Sequence, residues 1–277
     1  MARPRFVLKL GGELLEQPAD LDRVARGIAA LARRTALVVV HGGGREIDAG
    51  LAAAGLQKHQ VDGLRVTDVA TLDVVVAVLA GAVNTRFVAA LTAAGVRAVG
   101  LTGADGRCGL SEVAPAHRSV DGRLVDLGRV GVPSERADMR LLTTLSDDGF
   151  VPVIACIGVT SGGELLNVNA DTFAGHLAAQ LKARRLVIAG TTAGVLDDHG
   201  ATIATLEPEG VNRVIGAGTA TAGMVAKLRA CEHALAGGVA DVVIVDGRDG
   251  EALERAALSE VPKRATRLVS APLARRL

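Results

Sequence analysis

Two stretches decide the fold: Phe6-Val7-Leu8-Lys9-Leu10-Gly11-Gly12, and Ala36-Leu37-Val38-Val39-Val40-His41-Gly42-Gly43-Gly44. Each is an apolar, β-branched run with almost no polar alternation, Lys9 being the one charge, and each closes on glycine. Runs of this kind are what strands buried on both faces look like. Four more follow, at residues 98–101, 151–155, 186–189 and 242–245. Between them, helical patterns cover residues 21–33, 46–54, 70–94, 139–147, 170–182, 221–235 and 251–257. Strand alternating with helix predicts an α/β three-layer sandwich, a mainly parallel central sheet with helices on both faces. Ligands of such sheets bind beyond the carboxyl ends of the strands, which directs attention to the turns that follow them. Residues 107–136, with Pro115, Pro133 and the glycines Gly122, Gly128 and Gly131, break the rhythm and read as hairpins or a lid-like excursion rather than core. No Ser/Gly or Pro linker divides the chain. Residues 1–277 are therefore expected to form a single domain, with a soft boundary separating an N-terminal lobe of about 1–180 from a C-terminal lobe of about 181–277.

Composition excludes several classes. The 277 residues are 49% hydrophobic, and 31 Lys plus Arg stand against 30 Asp plus Glu, so the chain can bury a large core and is not disordered. Near-zero charge, no Trp or Tyr and only four Phe argue against nucleic acid as a partner, because neither a basic field nor stacking platforms are present. Three scattered cysteines, Cys108, Cys156 and Cys231, form no CxxC pair and no disulfide framework, which points to a reducing cytoplasm. The longest stretch free of formal charge, residues 149–163, is 15 residues long and short of the ~20 needed for a bilayer span, so no membrane partner is expected. Only five of the basic residues are lysines, so those that remain are candidates for work that needs a compact ammonium.

Four motifs carry chemistry. In Lys9-Leu10-Gly11-Gly12, paired glycines at a strand end let the backbone approach a ligand, and their N–H groups can make an anion-binding concavity beside an ammonium. The plain alternative is a tight turn with a solvated lysine. His41-Gly42-Gly43-Gly44 places amide donors at a helix N-terminus, where the dipole favours phosphate or carboxylate. His41 itself reads as a packed turn histidine, since no second His, Cys or Glu lies at metal-ligand spacing. Neither motif fits G-x-G-x-x-G, and no G-x-x-x-x-G-K-[ST] occurs, which argues against a Rossmann dinucleotide fold and a P-loop. In Asn167-Val168-Asn169-Ala170-Asp171, Asn169 suits a helix cap; Asn167 is left over to hold a polar substrate, and Asp171 is an acceptor able to orient lysines. Finally, residues 216–227 run from Gly216 and Gly218 through Gly223 to Lys227, a flexible lead that can hold a second ammonium over a phosphate chain. Gly190, Thr191 and Gly194 form a further turn of this kind. Two lysines, several amide nests and one carboxylate suit phosphoryl transfer, which is catalysed mainly by positioning and charge neutralisation.

With these motifs in this order, together with Asp62-Gly63-Leu64-Arg65-Val66-Thr67 and Gly100-Leu101-Thr102-Gly103-Ala104-Asp105-Gly106, the chain resembles the amino-acid kinase family along essentially its whole length, and most of all its acetylglutamate-phosphorylating branch. The resemblance implies ATP-dependent phosphorylation of the side-chain carboxylate of N-acetyl-L-glutamate, an early step of arginine biosynthesis. Carried over by position, Lys9, Lys227 and Asp171 would be catalytic, the lysines flanking the transferred phosphoryl group and Asp171 holding both. Gly43, Gly44, Arg65 and Asn167 would bind the acceptor, Arg65 through its α-carboxylate. Gly11, Gly12, Gly190, Thr191, Gly194, Gly218 and Gly223 would line the phosphates and nucleotide. ATP with Mg²⁺ enters as the substrate complex, with no metal held by the protein alone and no prosthetic group. The N-terminal lobe would bind the acceptor and form the dimer interface, and the C-terminal lobe would bind ATP.

The chain departs from the family's pattern at two places. Gly190-Thr191-Thr192-Ala193-Gly194 lacks an Asp that members commonly have, and Arg45 follows the triple glycine, placing a charge near the acceptor. Two other readings follow from these: a same-fold kinase of another acidic derivative, such as N-acetylaminoadipate or a carrier-linked aminoadipate or glutamate, and a non-catalytic nucleotide-binding sensor. Only eight residues precede Lys9, so the extra N-terminal helix that links arginine-inhibited members into hexamers is not expected; a cytoplasmic homodimer is.

Overall fold

All six residues of the strand Ala36–His41 are buried, as are all five of Val151–Ala155. A strand with no exposed face needs cover on both sides, and alternation along the first strand shows how that cover divides. Phe6, Leu8 and Leu10 pack with the helices Pro18–Ala32, Asn84–Ala93 and Gly250–Leu258. Val7 faces the other way, toward Gly44–Ala53, Arg140–Asp147, Ala170–Gln180 and Ala222–Ala236. Lys9 shares the parity of Val7 and so projects toward the helix Ala170–Gln180. The computed structural model describes residues 3–217, 222–258 and 261–270.

The central sheet has eight strands in the order Thr205–Leu206, Ala265–Val269, Asp241–Asp246, Arg185–Gly190, Arg5–Leu10, Ala36–His41, Val151–Ala155, Ala98–Thr102. The last six are mutually parallel. Ala265–Val269 runs antiparallel to Asp241–Asp246 and carries the two-residue edge strand Thr205–Leu206 beside it. The six parallel strands are those the apolar runs predict; the two at the antiparallel edge carry no such run. Arg185 and Asp241 stand opposite each other in register, and the Arg185 guanidinium donates to both carboxylate oxygens from Nε and Nη2 at 2.5 and 2.6 Å.

Residues 107–136 require a correction. Rather than a lid apart from the core, the two flanks of this segment supply Ser111–Val113 and Val130–Pro133 to a second sheet, completed by Leu165–Val168 and Ile157–Val159. Cys108, Leu110, Ser111 and Leu127 are buried there. The tip, a hairpin of His117–Arg118 with Leu124–Val125, keeps the expected hairpin form and exposed character. The charges and prolines that mark the segment as irregular lie beside short apolar positions that still find a partner sheet.

The helix predicted at residues 70–94 is present as Val69–Ala93, with a π-helical turn at Ala77–Val83 inside it. Two other helices, Ala170–Gln180 and Ala222–Ala236, bring the candidate catalytic residues together. A Cβ on Gly175 would stand 2.8 Å from the Ala230 carbonyl oxygen, and one on Gly237 would collide with Ala179. With Asp171 facing Lys227, these contacts rise together along both sequences, so the two helices run parallel and open their first turns at the same end of the sheet. Replacing Gly175 with valine forces the pair apart. Gly175→Val is expected to lower stability by about 1–3 kcal/mol in urea unfolding and to reduce turnover; wild-type values of both would show that the close contact does not set the spacing.

Candidate active site

The first two glycine turns meet. A Cβ on Gly12 would stand 2.8 Å from the backbone nitrogen of Gly43, so the first turn tolerates no side chain at this contact. Backbone hydrogen bonds extend the ladder past the strand ends, from Gly11 N–H to the Ala189 carbonyl at 2.8 Å and from Gly42 N–H to that of Leu10 at 3.1 Å. The Gly11 amide is thus committed to the neighbouring strand. Gly43 and Gly44 open the helix Gly44–Ala53. His41 is fully buried, and burial lowers its pKa to about 4, so the imidazole is neutral. Asn84 donates to its Nε2 at 2.9 Å, and its Nδ1 faces the Gly42 carbonyl at 3.1 Å, in keeping with a packed turn histidine.

Beside these turns, Lys9 Nζ lies 2.8 Å from Asp171 Oδ1, and Lys227 Nζ lies 3.3 and 3.4 Å from Oδ1 and Oδ2 of the same carboxylate. Asn169 caps the helix that carries Asp171, its side-chain oxygen accepting from the Asp171 and Thr172 amides. All three charged side chains are largely buried, at 9%, 11% and 15% exposure for Lys9, Asp171 and Lys227. Burial opposes the charge on Asp171, but the two ammonium groups hold its carboxyl below the usual range. Burial likewise opposes the charge on Lys9, yet Asp171 keeps that ammonium's pKa above the ordinary lysine value. Lys227 goes the other way: burial and the repulsion of Lys9 outweigh the shared carboxylate and lower its pKa. The cluster holds two cations on one anion in a water-poor setting, and it is disposed to accept a further negative group.

A cavity of about 180 Å³ adjoins this cluster, lined among others by Gly43, Gly44, Arg65, Asn167, Cys156 and Ala170. All four residues expected to bind an acceptor thus share one wall system. Arg65, 8% exposed, donates from Nη2 to Asp48 at 2.5 Å, while its Nη1 is buried without a hydrogen-bond partner. Burial works against the Asp48 carboxylate, but Lys58 and Arg65 hold its pKa below the ordinary range. Asn167 donates to the hydroxyl of the fully buried Thr67 at 3.1 Å. Cys156 is a neutral thiol, its pKa pushed up to about 12 by burial. Arg45 stands apart from the cavity: its side chain is 78% exposed and faces Glu16 at 3.4 Å.

The expected nucleotide residues are more dispersed. Gly190 and Thr191 follow their strand and are tied down through their carbonyls, Gly190 by the Gly247 amide and Thr191 by Arg248. Gly194 has a positive φ of 89°, and a Cβ there would collide with Thr266 Oγ1, which itself accepts from the Val195 amide at 2.7 Å. Packing thus gives Gly194 a reason of its own. Gly223 lies one turn before Lys227 with open space around it, and Gly218 lies outside the described residues. Four residues of the site carried no sequence signal: Asp48 and Asn84, set by tertiary contact; Leu79, against Gly43; and Glu13, whose carboxylate lies against Gly11 and 3.2 Å from where a Gly190 Cβ would stand. Thr67 is part of a quoted motif, yet only the hydrogen bond from Asn167, 100 residues away in sequence, ties it to the site.

Residues 4–246 match the model of the amino acid kinase family. Over 248 residues the chain is 43% identical to an acetylglutamate kinase of Rhizorhabdus wittichii, covering 88% of this chain and 82% of that one. It is 41% identical over 263 residues to an acetylglutamate kinase of Caulobacter vibrioides, covering 91% and 86%. Among solved structures, N-acetylglutamate synthase from Neisseria gonorrhoeae complexed with coenzyme A and N-acetyl-glutamate is similar with a TM-score of 0.81 at 27% identity, covering 98% of this chain and 61% of the synthase. Carbamate kinase from Giardia lamblia bound to AMP-PNP shares the fold, with a TM-score of 0.67 at 14% identity over 98% and 99% of the two chains. By the family match and by identity over most of its length, the chain belongs to the amino acid kinase family.

Proposed function

We propose that this chain phosphorylates the side-chain carboxylate of N-acetyl-L-glutamate with MgATP, giving the acyl phosphate that arginine biosynthesis consumes. The observation that carries the reading is the Lys9–Asp171–Lys227 cluster beside a cavity that presents a buried, half-unpartnered arginine. Phosphoryl transfer asks for that arrangement, since the migrating group carries charge that fixed cations stabilise without accepting a covalent bond. In this reading Lys9 and Lys227 flank the phosphoryl group, Asp171 aligns both, and the Gly12, Gly43 and Gly44 amides line its path. Arg65 Nη1 meets the acceptor's α-carboxylate, and Asn167 with Thr67 orients the acceptor. ATP lies over the C-terminal lobe, residues 181–277, near Gly190, Thr191, Gly194, Gly218 and Gly223. Arg45 brings no charge into the cavity, so nothing in the geometry favours a different acidic acceptor.

A second copy of the chain is the proposed partner. The helix Val69–Ala93 is long and apolar, yet only about one third of its most apolar stretch is buried in this molecule. Length and composition alone would let it cross a membrane. Its stripe Leu72, Val75, Leu79, Val83, Phe87 and Leu91 packs on this molecule's own core, however, while Ala77, Gly81, Thr85 and Ala89 stay exposed on the outer face. A homodimer in the cytoplasm, formed through that outer face, accounts for both sides of the helix. Light scattering should give about twice the 28.2 kDa chain mass, with Ala89→Glu shifting it toward the monomer; a monomeric wild type overturns the interface.

Incubation with ATP, Mg²⁺ and N-acetyl-L-glutamate in hydroxylamine should trap an acyl hydroxamate. Turnover of N-acetylaminoadipate or free glutamate without that of N-acetyl-L-glutamate would reject the acceptor. In steady-state kinetics, Lys9→Arg and Lys227→Arg should each lower kcat by about 100-fold with little change in KM, because the lost interaction strengthens at the transition state. Arg65→Lys, by contrast, should act mainly on the KM of the acceptor. Near-normal kcat in both lysine variants would refute their assigned roles.

A further inference from the structure

Away from the Arg65 cavity, the two helices that carry Asp171 and Lys227 meet again at a pair of histidines. His176, on Ala170–Gln180, is 2% exposed, and its Nε2 is buried with no hydrogen-bond partner. His233, on Ala222–Ala236, is exposed, and its ring stacks on that of His176 with centroids 6.2 Å apart and planes 19° from parallel. Glu135, in the turn after Val130–Pro133, completes the group, its Oε1 standing 3.9 Å from His176 Nδ1. Gln180 donates to the other carboxylate oxygen of Glu135. One ligand atom from each of the three residues lies within 4.8 Å of the other two.

We propose that Glu135, His176 and His233 form a binding site for a transition-metal dication of the Zn²⁺ class. Two imidazoles and a carboxylate are a zinc donor set, whereas Mg²⁺ selects oxygen ligands and keeps its water, so the Mg²⁺ that accompanies ATP does not compete. Metal–ligand bonds of about 2.0–2.2 Å place tetrahedral donor atoms about 3.3 Å apart. His176 is fixed by packing; Glu135 and His233 are exposed, and their side chains have room to close the remaining distance. Without an ion, the group is a stacked histidine pair beside a surface glutamate, and one buried ring nitrogen is left unsatisfied, a state proteins mostly avoid. With an ion, the two helices and the turn of the smaller sheet are tied at one point. That tie lies five residues beyond Asp171 on one helix and six beyond Lys227 on the other, so it fixes the spacing on which their shared contact depends.

The site does not rest on the kinase reading, and its test needs no turnover. Chain lacking a histidine tag, stripped with chelator and free of nucleotide, is titrated with ZnCl₂ by calorimetry and with Co²⁺ by visible absorption, and its Tm is followed in parallel. One saturable site per chain, an upward shift in Tm and the visible bands of low-coordinate Co²⁺ are expected. His233→Gln and Glu135→Gln, both at exposed positions, should weaken binding about tenfold or more, and His176→Gln should abolish it. His117→Gln, at a histidine that faces Asp62 elsewhere on the surface, should leave it unchanged. Lack of a saturable site overturns the proposal. So does affinity that survives in His233→Gln and Glu135→Gln, or that is lost in His117→Gln.

Discussion

A single buried carboxylate serving two ammonium groups is the constraint around which this molecule is arranged. Asp171 lies within 2.8 Å of Lys9 and 3.3 Å of Lys227, and the three charges are almost out of solvent. One negative charge cannot satisfy two positive ones equally: Lys9 gains from the pairing, and Lys227 pays for crowding. Removal of charge from water is costly unless partners compensate it, and here the compensation is incomplete. An anion entering between the lysines restores the balance.

The rest of the fold delivers these three side chains to one point. Lys9 comes from a strand whose parity turns it to the face covered by Ala170–Gln180; Asp171 comes from the first turn of that helix, held by the Asn169 cap. Lys227 comes from a helix brought close only because Gly175 lets the Ala230 carbonyl approach. Neighbouring parallel strands end at one edge of the sheet, so the two glycine turns gather there, and the two parallel helices open their first turns beside them. The contact between Gly12 and Gly43 closes the gap between neighbouring turns and leaves no room for a side chain on Gly12, while Leu79 leaves none on Gly43.

Legibility in the sequence followed burial. Five of the six parallel strands were readable because each is covered on both faces, and the edge strand Ala98–Thr102, though only partly buried, was readable because it still carries an apolar run. Ala265–Val269 was not, since it carries Thr266 and Arg267 near the sheet edge, and Thr205–Leu206 is too short to form a pattern. Motifs of glycine beside lysine, and of paired asparagines, marked Lys9, Gly43, Gly44, Asn167 and Asp171 because turns and caps leave local signatures. Asp48 and Asn84 left none: each acts through a residue distant in sequence, Arg65 and His41, and only packing makes the pairs. Gly11 and Gly194 show the converse limit, for a glycine in a turn looks the same whether its amide serves a ligand, a neighbouring strand or a steric need.

The π-helical turn at Ala77–Val83 supplies what regular geometry would withhold. Leu79 presses against Gly43, and Asn84 reaches His41 and the Val153 carbonyl. On an α-helix, two residues five apart point about 140° away from each other. The i to i+5 spacing of a π turn brings them toward one face, so a single helix can hold both ends of the His41-Gly42-Gly43 turn. Because Asn84 donates to Nε2, the proton of the neutral imidazole rests on Nδ1 and faces the Gly42 carbonyl. The orientation of that peptide is thereby set from behind, by a buried amide and a buried ring, with no charge spent near the lysines. Glycine grants the turn its close approach, and the helical irregularity removes the freedom that glycine would otherwise leave.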